Sequence, residues 1–227
     1  GFDLFAESFG LFNVNRVACG VVNRGAICYD PGGSPIGGGG FWPKGTPDGY
    51  VYGSGLQAAG IIAANAGFSW ANDTVGAQFY DPSSGPLHGS GLTPVYNSIA
   101  PADLAAWPNG AVVRDASLYS AAVLGQNTVS QQDLWWRSWD GDPALLTGRK
   151  HPLGIMVETR ALGWNYPAGN QDIQYLLFTF TNISASDPTR YNGIDAAIRT
   201  EIADIGKQYS DGVKTRLGVT IPAAGYR

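Results

Sequence analysis

Two apolar runs in the last third of the chain constrain the fold most, because together they predict a long β-hairpin. Residues 153–164 form the first run, residues 165–171 supply a turn-forming connection, and residues 173–182 form the return strand. Apolar side chains occupy both alternating faces of the return strand: Leu176, Phe178 and Phe180 on one, and Tyr175 and Leu177 on the other. This pattern is typical of a strand covered on both sides, so we expect a core strand and not an edge strand.

The overall composition favours the same class of fold. Glycine accounts for 32 of 227 residues and proline for 14, whereas charged residues make up only 14%, against about 25% in typical soluble domains. Aromatic residues reach 12%, which is enough for a large core. We expect a loop-rich, mainly β protein, built as an antiparallel β-sandwich of the jelly-roll kind.

One helix interrupts the β pattern near the C-terminus. At 100° per residue, five apolar side chains fall within a stripe of about 80°, which predicts an amphipathic helix over about residues 192–211. The helix begins either at Asn192 or near Asp187 and Pro188. We expect the stripe to pack on the sheet, with docking on another subunit as the alternative. Its members are Ile194, Ile198, Ile202, Ile205 and Tyr209.

Cys19 and Cys28 are the only cysteines, and their spacing predicts a cross-strand disulfide. A hairpin with Asn23 and Arg24 as its two-residue loop pairs position 19 with position 28, at a non-hydrogen-bonded site where side chains are closest. The alternative is two unrelated buried thiols, and a metal site lacks further ligands. A disulfide in turn predicts an oxidising compartment.

The first dozen residues are apolar but have no clear period. We expect Phe2, Phe5, Phe9 and Phe12 to contact another subunit or the remainder of a longer chain. In the alternative, they cover the chain's own sandwich. The glycine run at residues 37–40 is interpreted as a flexible connector. The chain is therefore divided into an N-terminal part, residues 1–40, and a β-rich domain, residues 41–227.

The densest aromatic cluster is formed by Trp135, Trp136 and Trp139. Exposed indole rings stack on sugars, and the nearby Asp140 and Asp142 offer the oxygen ligands that calcium prefers, so this cluster is a candidate glycan or calcium site. The complete spacing of a twelve-residue calcium loop is absent. The alternative is that the tryptophans anchor a core or an interface.

No catalytic motif is recognisable in the sequence. The two histidines, His88 and His151, lie outside any serine-nucleophile pattern and are interpreted as loop residues. Glu158 is the one acid worth testing for glycoside hydrolysis. In the alternative, Glu158 is an exposed strand residue paired with Arg160 or another neighbour. We assign no catalytic residue, and no cofactor apart from the calcium hypothesis.

The hairpin resembles a known group of proteins. Residues 157–167 (VETRALGWNYP) and 172–182 (DIQYLLFTFTN) are similar to a recurring segment of large, uncharacterised secreted proteins of environmental bacteria, and residues 41–43, 54–56 and 217–226 resemble the same group. Many of these proteins carry C-terminal sorting domains for export to the cell surface. Most are longer, so the resemblance implies that this chain is an N-terminal portion or a shortened form. The group has no established activity, so the resemblance implies no catalytic residue.

These observations predict a secreted or cell-surface structural module that acts by self-association or as part of a larger extracellular protein. A carbohydrate-binding module, with polysaccharide as its partner, and a fragment of a secreted hydrolase are the alternatives. The net charge of −4 argues against nucleic acid as a partner. The sequence also lacks an apolar run of about 18 residues, so we expect no membrane-spanning segment.

Overall fold

The computed structural model describes residues 7–29, 39–56, 58–60, 78–80, 90–107, 128–141, 152–194 and 196–225. Most of these residues belong to two antiparallel sheets and one long helix. The N-terminal sheet consists of β1 (Phe9–Phe12), β2 (Ala18–Val22), β3 (Ala26–Ile27), β4 (Gly40–Phe41), β5 (Gly49–Val51) and β6 (Ser54–Gly55). Its strand order is β5-β4-β2-β3-β6, with β1 also pairing with β2.

A separate pair of short strands follows the N-terminal sheet: β7 (Ala58–Gly60) and β8 (Gln78–Tyr80). The C-terminal sheet consists of β9 (Ser90–Gly91), β10 (Tyr96–Asn97), β11 (Gln132–Trp139), β12 (Ile155–Gly163) and β13 (Tyr175–Asn182). Its order is β10-β11-β12-β13, with β9 also pairing with β11. This arrangement confirms the predicted mainly β, sandwich-like fold with one long C-terminal helix.

The central strands β11 and β12 of the C-terminal sheet are covered on both faces. On one face, Leu134, Trp136 and Ala161 pack against side chains of the N-terminal sheet, including Phe12 and Val21. Strand residues alternate between faces, and the other face places Trp139 and Met156 against the long helix. The molecule therefore has two apolar layers that share this central sheet.

Two helices frame the C-terminal sheet. The short helix α1 (Pro101–Ala105) begins with proline in its first turn, where the missing backbone N–H has no helical partner to lose. The long helix α2 (Ala196–Leu217) begins and ends a few residues later than predicted. Asp187 instead caps a short 3₁₀ helix, Pro188–Tyr191, by accepting the backbone N–H of Thr189.

The predicted apolar stripe of α2 is confirmed. Ile198, Ile202, Ile205 and Tyr209 are buried in one cluster, and Ile194, just before the helix, packs against the same cluster. The helix ends at Leu217 because Gly218 follows it with a φ of 71°, a left-handed conformation that favours glycine. The backbone N–H of Gly218 still donates to the carbonyl oxygen of Lys214, which completes the last turn.

The disulfide between Cys19 and Cys28 is present, with the two Cα atoms 4.4 Å apart. The predicted hairpin register is wrong by one residue, because Val21 lies opposite Ile27 rather than opposite residue 26. The cause is Gly25, which has a φ of 108° and extends the turn to three residues. A disulfide that closes a loop of about ten residues contributes about 2.5–3 kcal/mol in the chain-entropy model.

The interpretation of residues 37–40 as a connector is wrong at its last position. Gly40 is a residue of β4 and pairs with both Cys19 and Val51. A Cβ atom on Gly40 would lie 2.8 Å from the Cβ of Val51 and 3.2 Å from the Cβ of Cys28. Glycine is therefore required here by close packing, whereas residues 37 and 38 lie outside the described part of the chain.

The prediction that residues 173–182 form a core strand is also wrong. β13 pairs with β12, and among the described residues it has no second neighbour, so it is an edge strand. The exposed fractions of Tyr175, Leu176, Leu177 and Phe180 lie between 37% and 48%. An apolar pattern on both faces does not distinguish burial within one chain from an apolar strand left at the edge of a sheet.

Candidate functional site

The predicted tryptophan cluster lies in the core. β11 carries all three residues, and Trp135, Trp136 and Trp139 are at most 2% exposed. Alternation along the strand places Trp136 toward the N-terminal sheet and Trp139 toward α2. The glycan hypothesis requires exposed rings, which this cluster does not provide, and burial supports the alternative that these residues anchor the core.

Asp140, the first acidic residue of the predicted calcium pair, is a buried structural cap. Its carboxylate accepts the backbone N–H groups of Leu153, Gly154 and Ile155 at the start of β12. These bonds satisfy backbone donors at the beginning of the strand. The carboxylate oxygens that the calcium hypothesis assigns to an ion are therefore already engaged in hydrogen bonds to the backbone. Asp142 lies outside the described residues. Within the described ranges, no group of three or more potential ligand side chains could hold a metal ion.

The predicted N-terminal interface is not formed by Phe12. This residue is fully buried and packs in the core between the two sheets, as the alternative for this segment requires. Phe9 begins β1 opposite Val22 and is half-buried. Phe2 and Phe5 lie outside the described part of the chain.

A row of charged side chains lies on the α2-facing side of the C-terminal sheet. Arg137 and Glu158 are directly opposite each other on β11 and β12, with Nε 3.1 Å from Oε2. Arg160 forms a second pair with Asp133, with Nη2 2.6 Å from Oδ2. All four side chains are buried, so the alternative for Glu158, an exposed residue paired with Arg160 or another neighbour, is wrong about exposure; its partner is the neighbouring Arg137.

This charged row is connected to the long helix and to the aromatic core. The Nη1 of Arg137 lies 2.7 Å from Oε1 of Glu201 on α2, and its guanidinium carbon lies 5.1 Å from the centre of the Trp135 ring. Burial raises the pKa of Glu158, although the positive charge of Arg137 opposes this effect. Glu158 is buried and its carboxylate contacts Arg137, so the structure does not support the hypothesis of a role in glycoside hydrolysis. His88 and His151, the two predicted loop histidines, lie outside the described residues.

Three loops meet at one end of the sandwich. Together they form an exposed surface of aromatic and charged side chains, which is a candidate binding site. They are residues 13–17 between β1 and β2, residues 42–48 between β4 and β5, and residues 164–174 between β12 and β13. The backbone N–H of Arg16 donates to Gln171, and the carbonyl oxygen of Arg16 accepts from Lys44. Loops held on a rigid scaffold are frequent positions for binding residues.

The side chain of Asn15 connects two of these loops from the buried side of the junction. The residue is buried, and its side-chain amide donates to the carbonyl oxygens of Asn170 and Ile173 at 3.2 and 2.8 Å. The Oδ1 of Asn15 accepts the backbone N–H of Val17. The loop before β13 is thereby tied to the turn before β2, so the two sheets are joined at this end by polar contacts as well as by their apolar core.

The exposed centre of the junction consists of Arg16, Trp42, Tyr50 and Asp172, which we call the loop-end surface. The indole N–H of Trp42 donates to Oδ1 of Asp172 at 2.6 Å, and Oδ2 of the same carboxylate lies 3.2 Å from Nη1 of Arg16. The guanidinium carbon of Arg16 lies 5.5 Å from the centre of the Trp42 ring. Tyr50 meets Trp42 edge to face, with ring centres 6.1 Å apart.

The edge strand β13 provides a second, adjoining surface. Its first residue, Tyr175, packs edge to face on Trp164, with ring centres 5.6 Å apart, and donates its hydroxyl to Asn170 in the preceding loop. Leu176, Leu177 and Phe180 follow along the strand and are exposed. The strand therefore carries apolar side chains along most of its length.

Sequence reasoning missed the loop-end surface, although two local signals mark it. Trp42 precedes Pro43, and Tyr166 precedes Pro167, so each of two loops carries an aromatic residue followed by proline, a turn signal. Both peptide bonds are cis. The contact between Trp42 and Asp172 joins residues 130 positions apart, which no local pattern indicates.

In the described ranges, no helix has both the length and the apolar character needed to cross a bilayer. Comparisons of the chain with protein-family models, with curated proteins and with solved structures found no match.

Proposed function

We propose that this chain is a structural module that assembles by pairing β13 with β13 of a second copy. The observation that carries the proposal is an eight-residue edge strand with exposed apolar side chains on both faces. A strand edge presents unpaired N–H and C=O groups, which form hydrogen bonds when another strand is added. Pairing would also bury the exposed apolar side chains of the strand, which adds a hydrophobic contribution to the stability of the pair.

Natural edge strands usually carry features that prevent such pairing. Lysine, proline, inward-pointing charges and short strand length are the common ones. Residues 175–182 (YLLFTFTN) contain no charged residue and no proline. The strand therefore lacks the features that would keep a second strand away.

A second copy of the chain is the partner that fits this strand best. Two identical strands related by a two-fold axis run antiparallel, so one contact satisfies both edges at once. Because the strand has no charge, the two copies do not repel each other at the contact. The pairing would join the two C-terminal sheets into one continuous sheet.

The location that we propose is the outside of a bacterial cell. The Cys19–Cys28 disulfide supports an oxidising compartment, and the resemblance of residues 157–182 to large secreted proteins supports export. If the chain is part of a longer extracellular protein, the same exposed strand β13 would pair with a strand of a neighbouring protein.

The test is sedimentation velocity of the purified chain over a range of concentrations. We expect a concentration-dependent dimer, which Leu177→Lys and Phe180→Lys convert to monomer by placing a charge on β13. Leu104→Lys is the matched control, because Leu104 is an exposed leucine on α1, away from β13, and this variant keeps the dimer. A wild-type monomer at all concentrations, or a dimer unaffected by both β13 variants, overturns the proposal.

Hydrogen exchange supplies a second measurement that does not depend on a variant. We expect the amides of β13 to gain protection as the protein concentration rises, whereas the amides of α1 do not. Uniform protection at all concentrations contradicts pairing through β13.

A further inference from the structure

We propose that the loop-end surface is a binding site for a neutral saccharide. The inference does not depend on self-association through β13, because the residues that form the surface lie in the three loops and on β5, outside β13. It also differs from the glycan hypothesis for Trp135, Trp136 and Trp139, whose rings lie in the core. The residues that carry it are Arg16, Trp42, Tyr50 and Asp172.

The aromatic rings of the surface are accessible and held in place. Trp42 is 39% exposed and Tyr50 is 66% exposed, and their rings meet edge to face. The hydrogen bond from the indole N–H of Trp42 to Asp172 fixes the orientation of the larger ring. A ring whose orientation is already fixed loses little conformational entropy when it binds a ligand.

The loop that carries Asp172 also carries another exposed aromatic side chain. Tyr166 is 77% exposed and lies on the same loop as Asp172. That loop is closed by the side-chain amide of Gln171, which donates to the carbonyl oxygen of Asn165, and by the backbone N–H of Asn170, which donates to Pro167. Tyr166 is therefore carried on a compact, hydrogen-bonded loop.

The polar groups beside the rings match the hydroxyls of a sugar. The Asp172 carboxylate offers acceptor lone pairs, and the Arg16 guanidinium offers several N–H donors in one plane. Both side chains remain partly exposed, at 38% for Asp172 and 48% for Arg16. A pyranose ring has an apolar C–H face for stacking and hydroxyls around its edge, so it uses rings and polar groups together.

Charge argues for a neutral ligand. Asp172 and Arg16 form an ion pair, so their charges compensate each other locally. The chain as a whole has a net charge of −4, which disfavours phosphate-rich or sulfated polymers. The buried centre of a protein–protein interface is depleted of charged residues, whereas the centre of this surface is a hydrogen-bonded ion pair.

The probes for this proposal are cellohexaose, xylohexaose, chitohexaose and maltohexaose, titrated into the purified chain by calorimetry. We expect saturable binding of at least one of them at or below the millimolar range. Trp42→Ala weakens that binding about tenfold or more, and Tyr166→Ala weakens it severalfold. Trp42→Phe keeps an aromatic ring but loses the bond to Asp172, so its affinity lies between those of the wild type and Trp42→Ala.

Phe180→Ala is the matched control, because Phe180 is an exposed aromatic residue on β13, outside the three loops. This variant keeps wild-type affinity for the saccharide even though it removes an apolar side chain from the proposed assembly surface. Thermal melting of each variant verifies that it is folded, and Tyr166→Ala, at a highly exposed position, tests the site even if Trp42→Ala is unstable. Failure of all four hexasaccharides to bind overturns the proposal, as does binding that Trp42→Ala and Tyr166→Ala leave unchanged. Tighter, salt-sensitive binding of polygalacturonate overturns the neutral preference.

Discussion

The guanidinium of Arg137 and the carboxylate of Glu158 face each other across β11 and β12 at 3.1 Å, and both side chains are buried. Glu201 of α2 contacts the same guanidinium at 2.7 Å. One arginine therefore connects the central sheet to the long helix through two carboxylates. The contact places charge beside the apolar cluster that packs Trp139 and Met156 against α2, and its energetic consequences can be measured.

Glu158→Gln is expected to change how stability depends on pH. Burial raises the pKa of Glu158 above its ordinary value of 4.5, despite the opposing charge of Arg137. Between these two values the folded state binds more protons than the unfolded state, so the Glu158 contribution to the free energy of unfolding falls as pH rises. Urea denaturation over this pH range should show that the free energy of unfolding of the wild type falls, as pH rises, relative to that of Glu158→Gln. A difference that increases with pH contradicts the prediction.

Asp133→Ala is expected to destabilise the fold by about 3–5 kcal/mol, because it removes the carboxylate that pairs with the buried guanidinium of Arg160. Asp133 also accepts the backbone N–H groups of Val129 and Ser130, so the variant loses the cap of β11 as well. Asp211→Asn is the control, because it breaks an exposed ion pair with Lys207 and costs at most about 1 kcal/mol. Equal effects of the two variants in urea denaturation would show that the Asp133–Arg160 pair is not buried as described.

Ile202→Asp is expected to cost about 3 kcal/mol or more, because it places a carboxylate in the fully buried stripe of α2. Gln208→Asp makes the same residue on the exposed side of the same helix and should change the melting temperature little. Thermal unfolding followed by circular dichroism compares the two. Similar melting temperatures for both variants would mean that the helix does not pack through this stripe.

Gly40→Ala is expected to destabilise the N-terminal sheet by about 1–3 kcal/mol, because the added Cβ would lie 2.8 Å from the Cβ of Val51. Gly169→Ala is the matched control, since nothing lies within 4 Å of a Cβ at that position. Chemical denaturation of both variants measures the difference. If Gly40→Ala is as stable as Gly169→Ala, β4 does not approach β5 and the disulfide as closely as described.

Local patterns in the sequence determined the long helix, the hairpin strands and the disulfide of this protein. The stripe from Ile198 to Tyr209 depends only on helical period, and the runs before and after residues 165–171 depend only on alternation and turn residues. The disulfide also follows from short spacing, although its register shifted because Gly25 adopts a positive φ that the sequence permits without requiring. β11 escaped prediction because its eight residues, QDLWWRSW, place charged and aromatic side chains on the same buried face.

Only the tertiary structure decided which strands are central and which surfaces remain open. β13 has the apolar character of a core strand, but its place at the edge depends on which distant segments pair with β12. The loop-end surface brings together Arg16, Trp42 and Asp172 from three separate loops. Side-chain period reports the local conformation of the backbone, whereas burial and site geometry arise from contacts between residues far apart in the chain, which local pattern does not encode.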